Sequence, residues 1–282
     1  MGEDGGRIKL RHVETAELKA LADAQNEIFR DYIIPMHSSA DFFLDFLRSV
    51  GGKLTNVIVA TDADQIVGYV NPVIDGVEAW IGGVGVKPGY RGKGLGTRLM
   101  LAGEEYARAE GAEVVSLEVI MGNQRAYDVY KRLGYADSRM FLTAEGKPIH
   151  FAGFGVTPKK ASMSEILAMH EKSYQDTCWQ RRKLPAIVQS ARASECYKID
   201  GGFVILRRIE TSGFIPFLGV LPDQRRQGIG TSLAKFALNK LYELGAYKVA
   251  LYNVNEDQQT LRMLDKFDFA VTLKQVEMVK RL

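Results

Sequence analysis

Gly85-Val-Lys-Pro-Gly-Tyr-Arg-Gly-Lys-Gly-Leu-Gly-Thr97 and Gly219-Val-Leu-Pro-Asp-Gln-Arg-Arg-Gln-Gly-Ile-Gly-Thr231 align without a gap, 134 residues apart, with seven of thirteen positions identical. The same shift superposes Leu99 on Leu233, Gly111-Ala112 on Gly245-Ala246, Val115 on Val249 and Leu117 on Leu251. A repeat longer than the roughly 20–50 residues of a solenoid unit is a duplicated domain. Two domains also suit 282 residues, at roughly 100–200 residues per domain. The division falls near Lys147 to Thr157, where Gly-Lys-Pro and Gly-Phe-Gly interrupt the patterns, giving domains 1–150 and 151–282.

Composition narrows the class. Hydrophobic residues at 46 % and charged residues at 25 % are ordinary globular usage. No apolar run approaches the roughly 18 residues of a membrane span, and the opening MGEDGGRIKLRH lacks the apolar core of a secretory signal. The expectation is a cytoplasmic chain with no membrane partner. Cys178 and Cys196 cannot staple a domain of this size, and His12, His37, His150 and His170 are scattered without metal or triad spacing, so no metal is expected. The net charge of +3 is too small to make nucleic acid the main partner. It splits into −4 for residues 1–150 and +7 for residues 151–282, so the basic half is suited to docking on the acidic one or attracting an anion. A homodimer is compatible with these residues.

Each copy reads as the same order of elements. In the first, Ile8 to Val13 is a strand and Thr15 to Arg30 a helix with Thr15 as cap; Ser39 to Val50 is a second helix. Val57 to Thr61, Gln65 to Ile74 and Val77 to Val86 are antiparallel strands, the last two joined by the hairpin signal Asp75-Gly76. A helix from Gly94 to Glu110, a strand from Glu113 to Ile120, a helix from Asn123 to Leu133 and a strand from Tyr135 to Leu142 follow. In the second, Ser162 or Ser164 caps a helix to about Tyr174. Strands come near Cys196 to Ile199, Phe203 to Ile209 and Phe214 to Val220, then a helix from Gly228 to Leu244, a strand from Lys248 to Tyr252 and a helix from Asp257 to Phe267.

A strand ending in Val86-Lys-Pro88, then Arg91-Gly-Lys-Gly-Leu-Gly96, then a long helix, puts a glycine-rich turn on a helix N-terminus. Unpaired N–H groups and the positive end of the helix dipole converge there, and a diphosphate is the natural ligand. The dinucleotide fingerprint and the triphosphate loop both fail on spacing, since Gly92-x-Gly94-x-Gly96 lacks the Gly-x-Gly-x-x-Gly pattern and Lys93 precedes Gly94 rather than Ser or Thr.

The pattern Val-x-Pro-x-x-Arg-x-x-Gly-x-Gly, at Val86 to Gly96 and again at Val220 to Gly230, resembles the acyl-CoA loop of the GNAT superfamily of N-acetyltransferases. Leu117-Glu118-Val119, Asn123, Ala126, Tyr130 and Leu133-Gly134-Tyr135 resemble a second pattern of the branch that modifies ribosomal protein N-termini. The resemblance covers nearly the whole chain. It implies an α/β (α+β) chain of two tandem domains, each a twisted, mixed, mostly antiparallel sheet of six to seven strands flanked by about four helices. The sheet would be splayed between its fourth and fifth strands, with acetyl-CoA as co-substrate and no metal. Val84, Gly85 and Val86 would offer backbone groups to pantetheine, while Arg91, Gly92, Lys93, Gly94, Leu95 and Gly96 would hold the pyrophosphate. The matching residues of the second copy are Leu218, Val220, Arg225, Arg226, Gln227, Gly228, Ile229 and Gly230.

By the same resemblance Tyr130 is the general acid toward the departing thiolate; a tyrosine, at about 10 in model peptides, is protonated at neutral pH. Glu118 is the base, and a carboxylate inside Val-Val-Ser-Leu-Glu-Val is unexpected in a purely structural strand. Glu78 is a weaker alternative. Asn123 either bonds the cofactor or caps the following helix. Tyr32, Phe42, Phe43 and Phe46 make the region of the first two helices aromatic, which core packing largely explains, and Trp80 lines the acceptor pocket or lies beneath it. The second copy has Tyr252 at Glu118, Asp257 at Asn123, Leu264 at Tyr130 and Asp268 at Gly134, with Tyr252 or Tyr247 as conceivable replacements. The expected function is acetyl transfer from acetyl-CoA to a primary amine of a small molecule or peptide N-terminus, by direct attack in the first domain. The competing readings are a non-catalytic acyl-CoA-binding or interaction module, and a tandem synthase acylating an amino-sugar thiol precursor.

Overall fold

Asp75 and Gly76 form the tight turn that the hairpin signal predicts: β3 (Gln65–Asp75) pairs antiparallel with β4 (Glu78–Val86) from Asp75↔Glu78 to Gly68↔Val86. Gly76 sits at φ +62°, in the left-handed region where a Cβ is costly. The computed structural model describes residues 8–34, 37–153, 155, 157–173, 177–182 and 194–282. It divides into two compact units, residues up to Ser138 with Val276–Leu282, and Arg139–Gln275.

In the first unit the sheet order is β1 (Ile8–His12), β2 (Ile58–Asp62), β3, β4, β5 (Val114–Ile120) and the end of β12 (Ala270–Arg281). β1 to β4 are antiparallel neighbours, whereas β4 and β5 are parallel. Helices α1 (Leu18–Ile28) and α2 (Ala40–Ser49) bury Leu21, Ile28, Phe43 and Leu47 in a cluster with Val59 and Tyr69 of β2 and β3. Ser39 caps α2 by accepting from Phe42 N at 3.1 Å. Thr15 is not the cap of α1: it opens a 3₁₀ turn in which the Glu17 carboxylate accepts from Glu14 N at 2.9 Å and pairs with Arg11. The longer acidic side chain reaches the free amide that a threonine one residue later does not. Helices α3 (Leu95–Ala109) and α4 (Gln124–Arg132) follow β4 and β5.

The second unit has the order β12, β6 (Ala136–Gly146), β11 (Lys248–Asn255), β10 (Ser212–Val220), β9 (Gly202–Ile209), β8 (Ser194–Ile199) and β7 (Lys159–Lys160). Its helices are α5 (Met163–Ser173), α6 (Trp179–Arg182), α7 (Ile229–Glu243) and α8 (Gln258–Lys266). Ser162 is the cap of α5, with Ser162 and Glu165 exchanging side-chain-to-backbone bonds; Tyr174, the expected end of that helix, lies outside the described residues. Cys178 is buried, Cys196 half-buried, and neither forms a disulfide with a described residue.

The duplication is repeated in backbone detail. β4 and β5 pair as Glu78↔Val114, Ala79↔Val115 and Trp80↔Ser116, and β10 and β11 as Ser212↔Lys248, Gly213↔Val249 and Phe214↔Ala250, the same register shifted by 134. Left-handed positions survive even without glycine. Gly92, Gly134 and Gly76 are at φ +80°, +91° and +62°, and their counterparts Arg226, Asp268 and Glu210 are at +67°, +54° and +50°.

The compact units depart from a division at residue 150. β6 and β12 are equivalent under the 134-residue shift, yet β6 pairs with β11 from Val249↔Gly146 to Asn255↔Phe141, in the second unit. The end of β12, which sequence periodicity did not reveal, closes the first unit's sheet, where Leu282 N donates to Glu113 O at 2.8 Å. Each copy gives its last strand to the other's unit, and the slots accept either because the strands are equivalent. The exchange leaves the charges at −4 and +7.

Two outcomes are expected. Met278, fully buried near the C-terminus, should on Met278→Ala cost about 2–5 kcal/mol and raise amide exchange in β5; unchanged exchange there would show that β12 does not support it. His170 is 1 % exposed, edge-on to Phe217 at 4.9 Å, and burial lowers its pKa to about 4. Its folded value lies below the ordinary 6.5, so its stabilisation is complete above pH 6.5 and is lost as pH falls toward 4. Melting of wild type and His170→Leu across pH 4–7 should diverge in slope over that window.

Candidate active site

β4 and β5 are hydrogen-bonded only as far as Trp80 and Ser116. Beyond that rung β4 stays paired to β3 through Val86, so its other edge, including Val84 and Val86, faces the opening. The splay anticipated between the fourth and fifth strands is therefore present. Gly85 has a packing reason: a Cβ there would lie 2.3 Å from Ile28 Cγ2.

At the end of β4 the chain turns through Gly92 and Gly94, both with positive φ, and Gly94 is the N-cap of α3. A Cβ on Gly94 would meet nothing within 4 Å, so its requirement is conformational and the space beside it is open. The first-turn amides of Leu95 and Gly96 point where an anion would sit. Leu95 itself is buried, leaving its backbone for that role. The Arg91 side chain clasps the end of α1, donating to Ile28 O at 2.6 Å, to Asp31 at 2.7 and 3.0 Å and to Val86 O at 2.9 Å, which leaves only its backbone for the anion role expected of it. Lys87 pairs with Glu27 at 2.6 Å, so two ion pairs lock the loop to the first helix.

Glu118 lies half-buried on β5, just past the last rung. Its Oε2 accepts from Trp80 Nε1 at 2.7 Å, which fixes the carboxylate in place. Trp80 is 1 % exposed and supports the carboxylate from beneath. Glu78 belongs to the paired, closed end of β4, opposite Val114. Tyr130 on α4 is buried, and burial, then the neighbouring Tyr32, push its hydroxyl far above the ordinary tyrosine range. A hydroxyl raised in this way stays protonated at neutral pH. Asn123 caps α4 by accepting from Ala126 N at 3.3 Å, and its side chain also bonds the Tyr32 hydroxyl, whose pKa burial raises and this bond lowers. Aromatic composition alone did not single out Tyr32; its place beside Tyr130 emerges only once α1 has been packed.

The second unit keeps the loop and alters the chemistry. Gly228 is the left-handed N-cap of α7 at φ +83°, and Arg225 makes the matching clasp to Val220 O and Ser173 O, each at 3.2 Å. Gln227 is exposed, and Ile229 packs against Gly202. A cleft of about 750 Å³ runs from Arg225, Arg226, Gly228 and Gly230 past Leu218 and Val220 to Met263 and Leu264. Leu264 is buried where Tyr130 stands in the first unit. Tyr252, in the place of Glu118, is half exposed and stacks on Phe214 with centroids 5.9 Å apart, so an aromatic pair replaces the Trp80–Glu118 hydrogen bond. Tyr247 is 78 % exposed. Asp257 repeats the cap, accepting from Thr260 N at 2.7 Å. Among the described residues no group of three or more His, Cys, Asp or Glu is arranged to hold a metal, and no helix is long and apolar enough to cross a membrane.

Comparison with known proteins bears on the family and the fold. The chain is 34 % identical over 98 residues to a mycothiol acetyltransferase of Corynebacterium glutamicum, 33 % of this chain and 32 % of that one. It is 42 % identical over 52 residues to the thialysine N-epsilon-acetyltransferase of Bos taurus, 18 % of this chain and 31 % of that one. The matches span less than half the length of these relatives. Among solved structures, a GCN5-related N-acetyltransferase from Sphaerobacter thermophilus superposes with a TM-score of 0.72 at 19 % identity, covering 98 % of this chain and 96 % of that one. A tandem GNAT protein from the clavulanic acid biosynthesis pathway gives 0.67 at 13 % identity over 97 % and 98 %. The model of the acetyltransferase (GNAT) family matches residues 18–135 and again 170–269, and the chain belongs to that family, carrying its domain twice.

Proposed function

We propose that the first unit transfers an acetyl group from acetyl-CoA to a primary amine of a small molecule or peptide N-terminus, and that the second binds an acyl-CoA without turning it over. One observation carries this reading. Two splays of identical register differ at the reacting centre: one has a carboxylate held by Trp80 and a buried, protonated tyrosine, the other an aromatic stack and a leucine.

The chemistry follows from those groups. An alkylammonium gives a proton to Glu118, directly or through water, and the neutral amine attacks the thioester carbon. An N–H on the open edge of β4 near Val84 supports the charge that develops on the carbonyl oxygen. The C–S bond then breaks, and the Tyr130 hydroxyl meets the sulfur as it becomes anionic. Ordinary tyrosine lies near 10 and a thiol near 8.5, so full transfer from a tyrosine raised further by burial is uphill. Tyr130 therefore acts chiefly as a hydrogen-bond donor to the thiolate. The ammonium and thioester yield an amide, a thiol and one proton: the attacking nitrogen sheds a second proton as the amide forms, which passes through water to the thiolate held by Tyr130, and half-buried Glu118 releases the first to water.

The second unit's cleft supports the binding role. Its volume lies in the roughly 300–1,000 Å³ range of ligand sites, and its glycine loop and basic surroundings suit a diphosphate. The similarity to a mycothiol acetyltransferase makes an amino-sugar thiol precursor one member of the amine panel worth assaying.

Following free CoA release over a panel of amines, Tyr130→Phe and Glu118→Gln should each lower kcat by roughly 10²-fold; wild-type rates in both would move the chemistry elsewhere. If no amine accelerates release while acetyl-CoA still raises the melting temperature, binding without transfer is the better reading. Calorimetry should give two CoA per chain, falling to one in Gly94→Val and one in Gly228→Val, since a β-branched residue is poorly tolerated at positive φ. A single site lost only through Gly94 would leave the second cleft without its ligand.

A further inference from the structure

Behind Tyr130 lies a polar cluster that a purely structural account of the fold does not require. Tyr135, 2 % exposed, has its ring centroid 6.0 Å from that of Tyr130 with planes at 59°. Lys280 of β12 holds its ammonium 5.7 Å from the Tyr135 ring centroid and bonds Glu104 Oε2 of α3 at 2.5 Å. Glu104 is 2 % exposed. Burial, and then the Glu104 carboxylate beside it, raise the Tyr135 hydroxyl far above its ordinary range.

The second unit is the control experiment within the same chain. Under the 134-residue shift Glu104, Tyr130 and Tyr135 become Leu238, Leu264 and Phe269, and Lys280 becomes Gly146 on the exchanged strand. Leu238 and Leu264 are buried, and Gly146 lies so close to the Phe269 ring that an added Cβ would meet it at 2.9 Å. The fold thus accepts an entirely apolar solution at these four positions. Burying an ion pair costs desolvation that a well-packed apolar set avoids. The polar set stands only where Glu118 and Tyr130 also stand.

We propose that Glu104, Tyr135 and Lys280 are positioning residues for Tyr130: the ion pair pins the Tyr135 ring, and that ring fixes the tilt at which the Tyr130 hydroxyl meets the thioester sulfur. Apolar packing tolerates small slides, whereas a buried ion pair with its ammonium over an aromatic ring restricts where that ring can lie. Tyr32, whose hydroxyl interacts with the Asn123 side chain, also stands beside Tyr130. The inference rests on the catalytic reading of the first unit.

The test transplants the second unit's solution as Glu104→Leu, Tyr135→Phe and Lys280→Gly together. Two readouts are followed: kcat and KM for acetyl-CoA with an accepted amine, and the Tyr130 ring signal in carbon-13 tyrosine NMR, identified by its absence in Tyr130→Phe. The expected result is retained acetyl-CoA binding, KM within about two-fold, kcat lowered about ten-fold or more, and a shifted or broadened Tyr130 signal. Wild-type kcat together with an unchanged signal would overturn the proposal. Should the triple variant fail to fold, Glu104→Gln and Lys280→Met are each expected to give the same kcat loss, with Lys280→Arg restoring it; equal rates in all three would overturn it. If the wild-type protein acetylates no amine, the catalytic reading fails by itself, and an unaltered Tyr130 signal in the variants would refute the positioning role separately.

Discussion

The site depends on strands that stop pairing. Below the Trp80–Ser116 rung, the edge of β4 turned toward β5 presents peptide groups that a closed sheet would have used, while β3 keeps the other edge rigid. Backbone donors and acceptors in such a place need partners. An extended amide-bearing arm such as pantetheine can supply them in the manner of an added strand. The glycine turn at the same end adds amides without side chains in the way, and the Arg91 and Lys87 ion pairs tie it to α1. Opening, glycine turn and Glu118 carboxylate thus all lie where one parallel ladder ends.

Because the second unit reproduces that ladder rung for rung, the two copies can be compared as variants of one structure. The loop, the clasp by Arg225 and the cap by Asp257 persist. Glu118, Tyr130 and the polar cluster of Glu104, Tyr135 and Lys280 do not. Backbone shape has also outlasted the residues suited to it: Arg226 and Glu210 occupy left-handed positions that cost a residue with a Cβ roughly 1–2 kcal/mol, so surrounding structure imposes the path.

Much of this was readable in the residues. The repeat, the Asp75-Gly76 hairpin, the Ser39 cap and the glycine loops are local signals whose physics is complete within a few positions. Glu118 and Tyr130 stood out because a carboxylate in an apolar strand and a family spacing are both visible in one dimension. Three features were hidden for a shared reason. The exchange of β6 and β12 is silent because the strands are equivalent, so either slot matches either pattern. Tyr32 joins Asn123 only through the packing of α1. Glu104 and Lys280 are 176 residues apart, and nothing in the neighbourhood of either names the other. The Thr15 cap failed on a smaller scale, because Glu17 reaches back to an amide one residue earlier than expected.

The exchanged strands have a consequence for how such a protein can change over time. A stretch of gene covering one copy would encode neither unit, since each sheet borrows its closing strand from the other copy. The second copy can drift at its own reacting centre, yet it cannot be deleted without removing Val276 to Leu282 from the first. Inheritance is thereby locked to the pair, because each half is needed for the strand it lends.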